Sequence, residues 1–201
     1  MDREQIKGLF QNHRMERLAA ARARDSAVLI PLVEREGDLS VLFEVRSASI
    51  AQGGEICFPG GRVEAGESPE ETAVRETVEE LSLSTDQVEM LAPLFEKIGP
   101  DGGCVSVYLG WLDDYRGTRS ESEVERIFLL PLNRLLDFEP RIHDDEIVTV
   151  TGEDFPYELI PNGRDYPFRK MARRFYFYET EDGVIWGLTA ELLFHFLELL
   201  R

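Results

Sequence analysis

The 201-residue sequence has few cysteines and few basic residues. Its two cysteines, Cys57 and Cys104, form no CxxC pair, so we interpret both as buried thiols of a reducing compartment. Lys and Arg number 22 against 39 Asp and Glu, which gives a formal net charge of −17. This balance argues against non-specific nucleic-acid binding, because that binding depends on basic side chains that contact phosphates.

Long apolar runs are also missing. No stretch approaches the roughly 20 apolar residues of a membrane-spanning helix, and the N-terminus lacks the apolar run of a signal peptide. We therefore expect a cytoplasmic protein with no membrane partner. Hydrophobic residues make up 43% of the chain, enough for a buried core, and the length predicts one domain over residues 1–201.

The pattern of apolar residues predicts a mixed α+β fold. A helix is expected over residues 1–25, a short one over 131–136 and an apolar one over 189–200. Strands are expected over residues 27–33, 39–46, 55–58, 88–95, 104–112, 127–130, 175–178 and 184–186. Pro31 indicates that the first strand lies at an edge or carries a bulge. Residues 137–174, with 147–150 as the clearest strand, predict an inserted functional arm or a hairpin.

The middle of the chain contains a clear sequence signal for the start of a helix. Ser68 suits an N-cap, Pro69 suits the first helical position, and Glu71 completes a Ser-x-x-Glu capping box. The expected helix, Pro69–Leu81, has an apolar stripe formed by Ala73, Val74, Val78 and Leu81.

The same helix places three acids close together. Glu76 and Glu80 are four residues apart on one face, with Glu79 on its flank. Like charges at this spacing cost a helix roughly 0.2–0.5 kcal/mol each. A solvated acidic face is the plain interpretation, and a hard divalent cation that binds carboxylate oxygens is the functional one.

The spacing of residues before and within this helix resembles a known motif. Gly61, five residues, Glu67, seven residues and then Arg75-Glu76-x-x-Glu79-Glu80 is similar to the Nudix box of the Nudix hydrolases. Thr77 stands where an aliphatic residue is usual, and Ser82 where a glycine usually ends the helix. The resemblance implies an α/β/α sandwich with a mixed sheet, and hydrolysis of a nucleoside diphosphate linked to another group, with Mg²⁺ or Mn²⁺ as cofactor.

The resemblance also implies roles for the residues of the box. Glu76, Glu79 and Glu80 are the expected metal ligands, and Glu79 is also expected to be catalytic. Arg75, four residues from both Glu71 and Glu79, is expected to orient a carboxylate through an ion pair. Glu67 is expected to support that arrangement or the outer shell of the metal.

The general base is less clearly marked. Residues 120–125 supply Glu121, Glu123 and Glu125, of which Glu123 resembles the acid of a Glu-Val segment in the family. A solvated loop glutamate is the alternative. His143 beside two aspartates is read as part of a surface turn, with a catalytic role as the alternative.

The segment before the box resembles the coenzyme A pyrophosphatase branch. The matching residues are Arg46, Ser47, Gly54, Phe58, Pro59, Gly60 and Gly61. Ile50 and Ala51 stand where the branch carries an inner arginine. Residues 155–169 and 184–190 also look like segments of bacterial coenzyme A pyrophosphatase-like proteins, so the likeness extends from about residue 27 to 200.

This likeness implies cleavage of coenzyme A into 3′,5′-ADP and 4′-phosphopantetheine. The expected substrate contacts are Arg46, Gly60, Gly61, Arg169 and Lys170, although each basic residue could instead be a surface ion-pair partner. Other nucleotide substrates, such as ADP-ribose or a dinucleoside polyphosphate, stay open, as does a non-catalytic nucleotide-sensing module. The family likeness and the long arm also suggest a homodimer.

Overall fold

The computed structural model describes residues 23–35 and 37–201. The N-terminal helix predicted for residues 1–25 falls outside these ranges, except for its last three residues. No helix in the described ranges is long and apolar enough to cross a membrane.

Ten strands, three α-helices and three short 3₁₀ turns make up the described chain. The strands are β1 (Ser26–Arg35), β2 (Asp38–Arg46), β3 (Ile56–Cys57), β4 (Gly60–Arg62), β5 (Val88–Ile98), β6 (Cys104–Leu112), β7 (Val124–Pro131), β8 (Arg141–Ile147), β9 (Met171–Thr180) and β10 (Gly183–Ile185). The helices are α1 (Pro69–Leu81), α2 (Leu132–Leu136) and α3 (Gly187–Leu200), and the 3₁₀ turns are Thr85–Gln87, Tyr157–Leu159 and Gly163–Asp165.

Two sheets are formed. The larger one has the order β3-β2-β1-β6-β5, with β4 also paired to β1 and β7 to β2. The β1–β6 pair is parallel and the remaining pairs are antiparallel, so this sheet is mixed. The smaller sheet has the order β10-β9-β8. The mixed α+β fold expected from the sequence is confirmed.

The larger sheet buries apolar side chains on both faces. Leu29 of β1 and Leu42 of β2 pack with Leu81 of α1 on one face. Their sequence neighbours point to the other face, because successive side chains of a strand alternate. There Ile30 and Phe43 belong to the core that includes residues of α3. Helices therefore cover both sides, and α1 lies directly against the central strands.

The expectation that Pro31 marks an edge or a bulge is wrong. β1 is a central strand, with β6 on one side and β4 and β2 on the other. Leu29 N donates to Pro59 O at 3.0 Å, and Pro31, two residues later, turns its nitrogen to the same side. On that side of β1, the residues up to Val28 pair with β4, and the residues from Leu32 onwards pair with β2. Pro31 lies in the gap between these two partner strands. The missing N–H group therefore costs no ladder hydrogen bond.

The strand predicted at 147–150 is also misplaced, since the strand in this region is β8, Arg141–Ile147. All seven of its residues pair with β9, although the segment is almost wholly exposed and polar. Ion pairs offset the missing apolar pattern: Arg174 Nε and Nη2 donate to the Asp144 carboxylate at 2.6 and 2.8 Å. His143 lies exposed in this strand and not in a turn.

Candidate active site

Helix α1 begins and ends with specific caps. Glu71 N donates to Ser68 Oγ at 3.2 Å, and Ser68 N donates to Glu71 Oε2 at 2.8 Å, so the predicted capping box is present. Glu71 is therefore engaged by the cap and not by Arg75. At the other end Ser82 adopts the left-handed conformation, with φ 50° and ψ 50°, that glycine adopts more easily. Ser82 thus forms the left-handed C-terminal cap that a glycine usually forms.

The buried face of α1 differs from the predicted apolar stripe. Ala73, Thr77, Glu80 and Leu81 are buried there, together with Thr72 in the first turn. Thr77 is accommodated because its Oγ1 donates to Ala73 O at 2.7 Å. Consequently the Glu80 carboxyl group lies under the helix, against the sheet.

Arg75 connects three carboxylates. Its Nε and Nη2 donate to Glu67 at 2.8 and 3.1 Å, and its Nη1 donates to Glu76 at 2.9 Å and to Glu79 at 3.1 Å. Nη2 also donates to Arg62 O at 3.3 Å. A guanidinium group has five N–H donors in a fixed plane, so this network sets the positions of its partners.

Glu67 is held in the loop before α1. Besides Arg75, its Oε2 accepts from Thr72 Oγ1 at 2.6 Å and from Glu64 N at 3.2 Å. These hydrogen bonds, foremost those from Arg75, lower the pKa of Glu67 to about 2. Glu67 is thus a fixed anion that anchors Arg75.

Neither Gly60 nor Gly61 has room for a side chain, since Gly61 lies against Glu76 of the helix and Gly60 against strand β1. A Cβ atom at Gly61 would stand 2.2 Å from Glu76 Oε1, and one at Gly60 would stand 2.4 Å from Ala27 O. Gly60 N donates to Glu80 Oε2 at 2.8 Å. The two glycines of the motif therefore let the backbone lie directly beside Glu76 and Glu80.

Two carboxyl groups are deeply buried beneath this surface. Glu80 is 5% exposed and Glu44, on β2, is 1% exposed. Burial, followed by the charge of Glu44, raises the pKa of Glu80 to about 9. Burial likewise raises the pKa of Glu44 to about 7. Cys57 Sγ donates to Glu44 Oε1 at 3.2 Å, and burial raises the pKa of this thiol. The sequence analysis did not single out Glu44.

The loop that carries Glu123 is tied to both sides of the site. Ser120 N donates to Glu80 O at 2.8 Å, and Ser47 N donates to Glu123 O at 2.8 Å. The side chain of Glu123 is exposed. Its charge nevertheless contributes to raising the pKa of Glu76 and Glu44, behind the larger effect of burial. The loop thus brings Glu123 to the same group of carboxylates as α1.

The donor set suits a hard divalent cation, although side chains would have to move to enclose one. Carboxylate oxygens are the ligands that Mg²⁺ and Mn²⁺ prefer. Within residues 23–35 and 37–201, no three His, Cys, Asp or Glu side chains are grouped closely enough to surround an ion. Glu76 and Glu79 are instead bonded to Arg75, and Glu80 to Gly60. These bonds hold the three carboxylates of α1 in place, and Arg75 and Arg46 are the basic groups next to them.

A cleft of about 480 Å³ opens beside the two glycines. Its wall includes Gly60, Gly61, Arg46, Arg62, Cys57, Arg173, Phe175 and Trp186. Arg46 Nη1 lies 4.0 Å from Glu80 Oε1, which links the cleft to the acids. The guanidinium of Arg173 lies over the Phe175 ring, 4.7 Å from its centroid.

Two of the predicted substrate contacts lie elsewhere. Arg169 and Lys170 are exposed and do not line this cleft, and Lys170 Nζ pairs with Glu146 at 2.7 Å. Arg62 and Arg173 line it instead, and sequence reasoning missed both. Arg62 directly follows the glycine pair, which is a usable sequence signal, whereas the position of Arg173 depends on how β9 packs.

The layered fold and this carboxylate–arginine site define a family. Residues 23–180 match the NUDIX domain, and the chain belongs to that family. It is 33% identical over 132 residues to the peroxisomal coenzyme A diphosphatase NUDT7 of Mus musculus, a match that covers 64% of this chain and 55% of that protein. It is 31% identical over 182 residues to Nudix hydrolase 3 of Caenorhabditis elegans, covering 87% of this chain and 72% of that protein.

A solved structure gives a weaker likeness. The Ap4A hydrolase binary complex of C. elegans is 20% identical, with a TM-score of 0.47, and the superposition covers 54% of this chain and 81% of that one.

Proposed function

We propose that this chain is a metal-dependent pyrophosphohydrolase that cleaves the diphosphate of coenzyme A or its derivatives into 3′,5′-ADP and 4′-phosphopantetheine. Water adds its oxygen to one phosphorus atom, and the P–O bond to the bridging oxygen breaks. The bridging oxygen leaves with the other phosphate. One proton of the water is taken up by a base.

Glu76, Glu79 and Glu80 would hold Mg²⁺ or Mn²⁺. Such an ion, when bound, neutralises charge on the diphosphate oxygens and lowers the pKa of a water molecule. Arg75 orients Glu76 and Glu79 through its hydrogen bonds, and Glu67 fixes Arg75. Gly60 holds Glu80 through its N–H group. Glu123, at the solvent-exposed edge of these acids, is proposed as the base that accepts the proton.

The cleft beside Gly60 and Gly61 is the observation that carries the substrate proposal. In a chain with a net charge of −17, this cleft gathers Arg46, Arg62 and Arg173. Arg62 and Arg173 form no ion pair within 4.0 Å with any acid of the described chain. Guanidinium groups without acidic partners are suited to bind phosphate. Phe175 and Trp186 add aromatic surface for a base or an acyl arm.

A second cavity next to the cleft also supports a long ligand. A second cavity of about 520 Å³ shares Val105, Arg173 and Leu188 with the first and continues to Ile147 and Met171. The wall of the second cavity mixes charged residues, such as Lys97, Arg174 and Glu191, with the apolar ones. Coenzyme A combines a nucleotide that carries phosphates with a long arm, and the two cavities together offer room for both parts. The likeness to a protein named as a coenzyme A diphosphatase points the same way.

The composition of the loop before the box favours a second candidate substrate. The loop over residues 47–54 contains no basic residue, since Ile50 and Ala51 stand where the coenzyme A branch carries its inner arginine. A nucleotide with fewer phosphates, such as ADP-ribose, would need that arginine less. The alternative is therefore a pyrophosphohydrolase for another nucleoside diphosphate derivative.

A substrate panel tests these proposals. The protein is incubated with Mg²⁺ or Mn²⁺ and coenzyme A, acyl-coenzyme A, ADP-ribose, NADH or diadenosine polyphosphates, and kcat/KM is measured for each. We expect the highest value for coenzyme A or an acyl derivative. Turnover of ADP-ribose without turnover of coenzyme A would replace the first proposal by the second. No turnover of any compound would leave a nucleotide-binding module without catalysis.

Two further expectations stay predictions. The homodimer is tested by measuring the molar mass in solution, and the cytoplasmic location by microscopy of the tagged protein.

A further inference from the structure

We infer that Glu44 is an additional ligand of the divalent cation, contributed by the sheet and not by helix α1. The inference rests on the proposed function, because it concerns the metal proposed for Glu76, Glu79 and Glu80. It adds a residue that lies outside the motif, 17 positions before Gly61 in the sequence.

The Glu44 carboxylate has one oxygen atom without a hydrogen-bond partner in the described chain. Among residues 23–35 and 37–201, Glu44 Oε2 is the one buried side-chain nitrogen or oxygen that lacks a hydrogen bond. The residue is 1% exposed, and its other oxygen accepts from Cys57 Sγ at 3.2 Å. Buried polar atoms are almost always paired, and an unpaired buried carboxylate oxygen is costly. A missing partner is therefore expected at Oε2.

Glu44 also lies at the interface between the larger sheet and helix α1. It pairs with Cys57 of β3 and Ile127 of β7, so it lies in the interior of the sheet. Strand alternation turns its side chain to the same face as Leu42, which is the face that packs against Leu81 of α1. Helix α1 lays Glu80 on this same interface. Glu44 thus faces the site from below while the acids of the motif face it from above.

Around Glu44, acidic groups outnumber basic ones. The carboxyl groups of Glu80, Glu76 and Glu123 all act electrostatically on that of Glu44. The nearest base, Arg46, is occupied: its Nε donates to Ala51 O at 3.2 Å, and its Nη1 lies 4.0 Å from Glu80. Two guanidinium groups, those of Arg46 and Arg75, are therefore set among six carboxyl groups, those of Glu44, Glu67, Glu76, Glu79, Glu80 and Glu123. A divalent cation would supply the missing charge and accept Oε2 as a ligand.

The competing explanation is a neutral Glu44 that donates a hydrogen bond to Glu80. Glutamine distinguishes the two, because it keeps the size and a hydrogen-bond donor but loses the anionic oxygen. Glu89→Gln is the matched control, since Glu89 is exposed on β5 and takes no part in the site.

Calorimetric titration of the full chain with Mn²⁺ alone, without substrate, is the test. We expect Glu44→Gln to weaken Mn²⁺ binding at least about 10-fold and Glu89→Gln to leave it unchanged. Equal affinity in wild type and Glu44→Gln would overturn the assignment of Glu44 while leaving the proposed function intact. A wild-type protein that binds no Mn²⁺ would overturn both.

Thermal unfolding without metal shows whether the variant folds. Glu44→Gln should unfold at the wild-type temperature or above it, because the unpaired buried carboxylate is gone. If the variant does not fold, wild-type crystals soaked in Mn²⁺ decide the question. An anomalous peak about 2.0–2.6 Å from Glu44 Oε2 supports the assignment, and an ion bound only to the helix acids contradicts it.

Discussion

Arg75 and Glu67 are joined by two hydrogen bonds, from Nε to Oε1 at 2.8 Å and from Nη2 to Oε2 at 3.1 Å. The third nitrogen of the same guanidinium group holds Glu76 and Glu79. A loop residue eight positions before Arg75 thus sets the orientation of two helix acids. Glu67 therefore acts on the two helix acids through Arg75, although Glu67 itself bonds to none of the proposed metal ligands.

Replacing Glu67 should therefore impair catalysis without unfolding the helix. Glu67→Gln removes the charge that fixes Arg75, while the Ser68–Glu71 cap remains. We expect kcat to fall about 10–100-fold, as for the loss of a group that orients metal ligands. Steady-state kinetics measures the effect, with Glu64→Gln in the same loop as control. A wild-type kcat in Glu67→Gln would show that Arg75 needs no anchor.

The same residue predicts a pH dependence of stability. The pKa of Glu67 is about 2 in the folded protein and about 4.3 when unfolded. A lowered pKa stabilises the folded state above the unfolded value, and this contribution disappears as the pH falls from about 4.3 towards the folded pKa of about 2. Denaturant unfolding should therefore show wild type more stable than Glu67→Gln at pH 6, with the difference shrinking towards pH 2. A difference that is independent of pH would contradict the ion pair.

Gly61 should not tolerate a side chain. In Gly61→Ala the new Cβ would meet the Glu76 carboxylate, which must then leave its hydrogen bond with Arg75. We expect kcat to fall about 100-fold, since displacements of about 1 Å have that effect. Gly152→Ala is the control, because its Cβ would meet only the end of the Asp154 side chain. Equal activity of both variants would mean that the position of Glu76 is not critical.

The site helix could be predicted from sequence because its determinants are local. The Ser68–Glu71 cap and the spacing to Gly61 depend on residues close together in the chain, and the structure shows both features. For Glu80, the sequence predicts its place on the helix but not its burial. Its sequence neighbourhood looks like an exposed acidic face, and only packing of α1 on the sheet buries it.

Features that depend on distant residues were missed. Glu44 follows the alternation of β2, but its burial depends on β3, β7 and α1 meeting around it. β8 has no apolar alternation, and ion pairs with β9, such as that between Asp144 and Arg174, accompany its pairing. The wrong expectation for Pro31 has a similar origin. Pro31 fits into the gap between β4 and β2 on one side of β1, and the sequence of β1 alone does not reveal that gap.

Arg173 should matter for substrate affinity, unlike its neighbour Arg169. Arg173 lines the cleft, whereas Arg169 is exposed outside it. We expect Arg173→Gln to raise KM for coenzyme A about 10-fold or more, in line with the loss of a charged hydrogen bond, and Arg169→Gln to have little effect. Comparison with 3′-dephospho-coenzyme A shows whether Arg173 contacts the 3′-phosphate. Equal KM values for both variants would remove Arg173 from the substrate site.

In the proposed function, the carboxylates of α1 support hydrolysis of the coenzyme A diphosphate. Mass spectrometry of the products formed from coenzyme A and Mg²⁺ tests it most directly, with wild type, Glu76→Gln, Glu79→Gln and Glu80→Gln compared. We expect 3′,5′-ADP and 4′-phosphopantetheine in equal amounts from wild type, and rates at least about 100-fold lower from each variant. Absence of these products in wild type, or the same rate in the variants, would contradict the account.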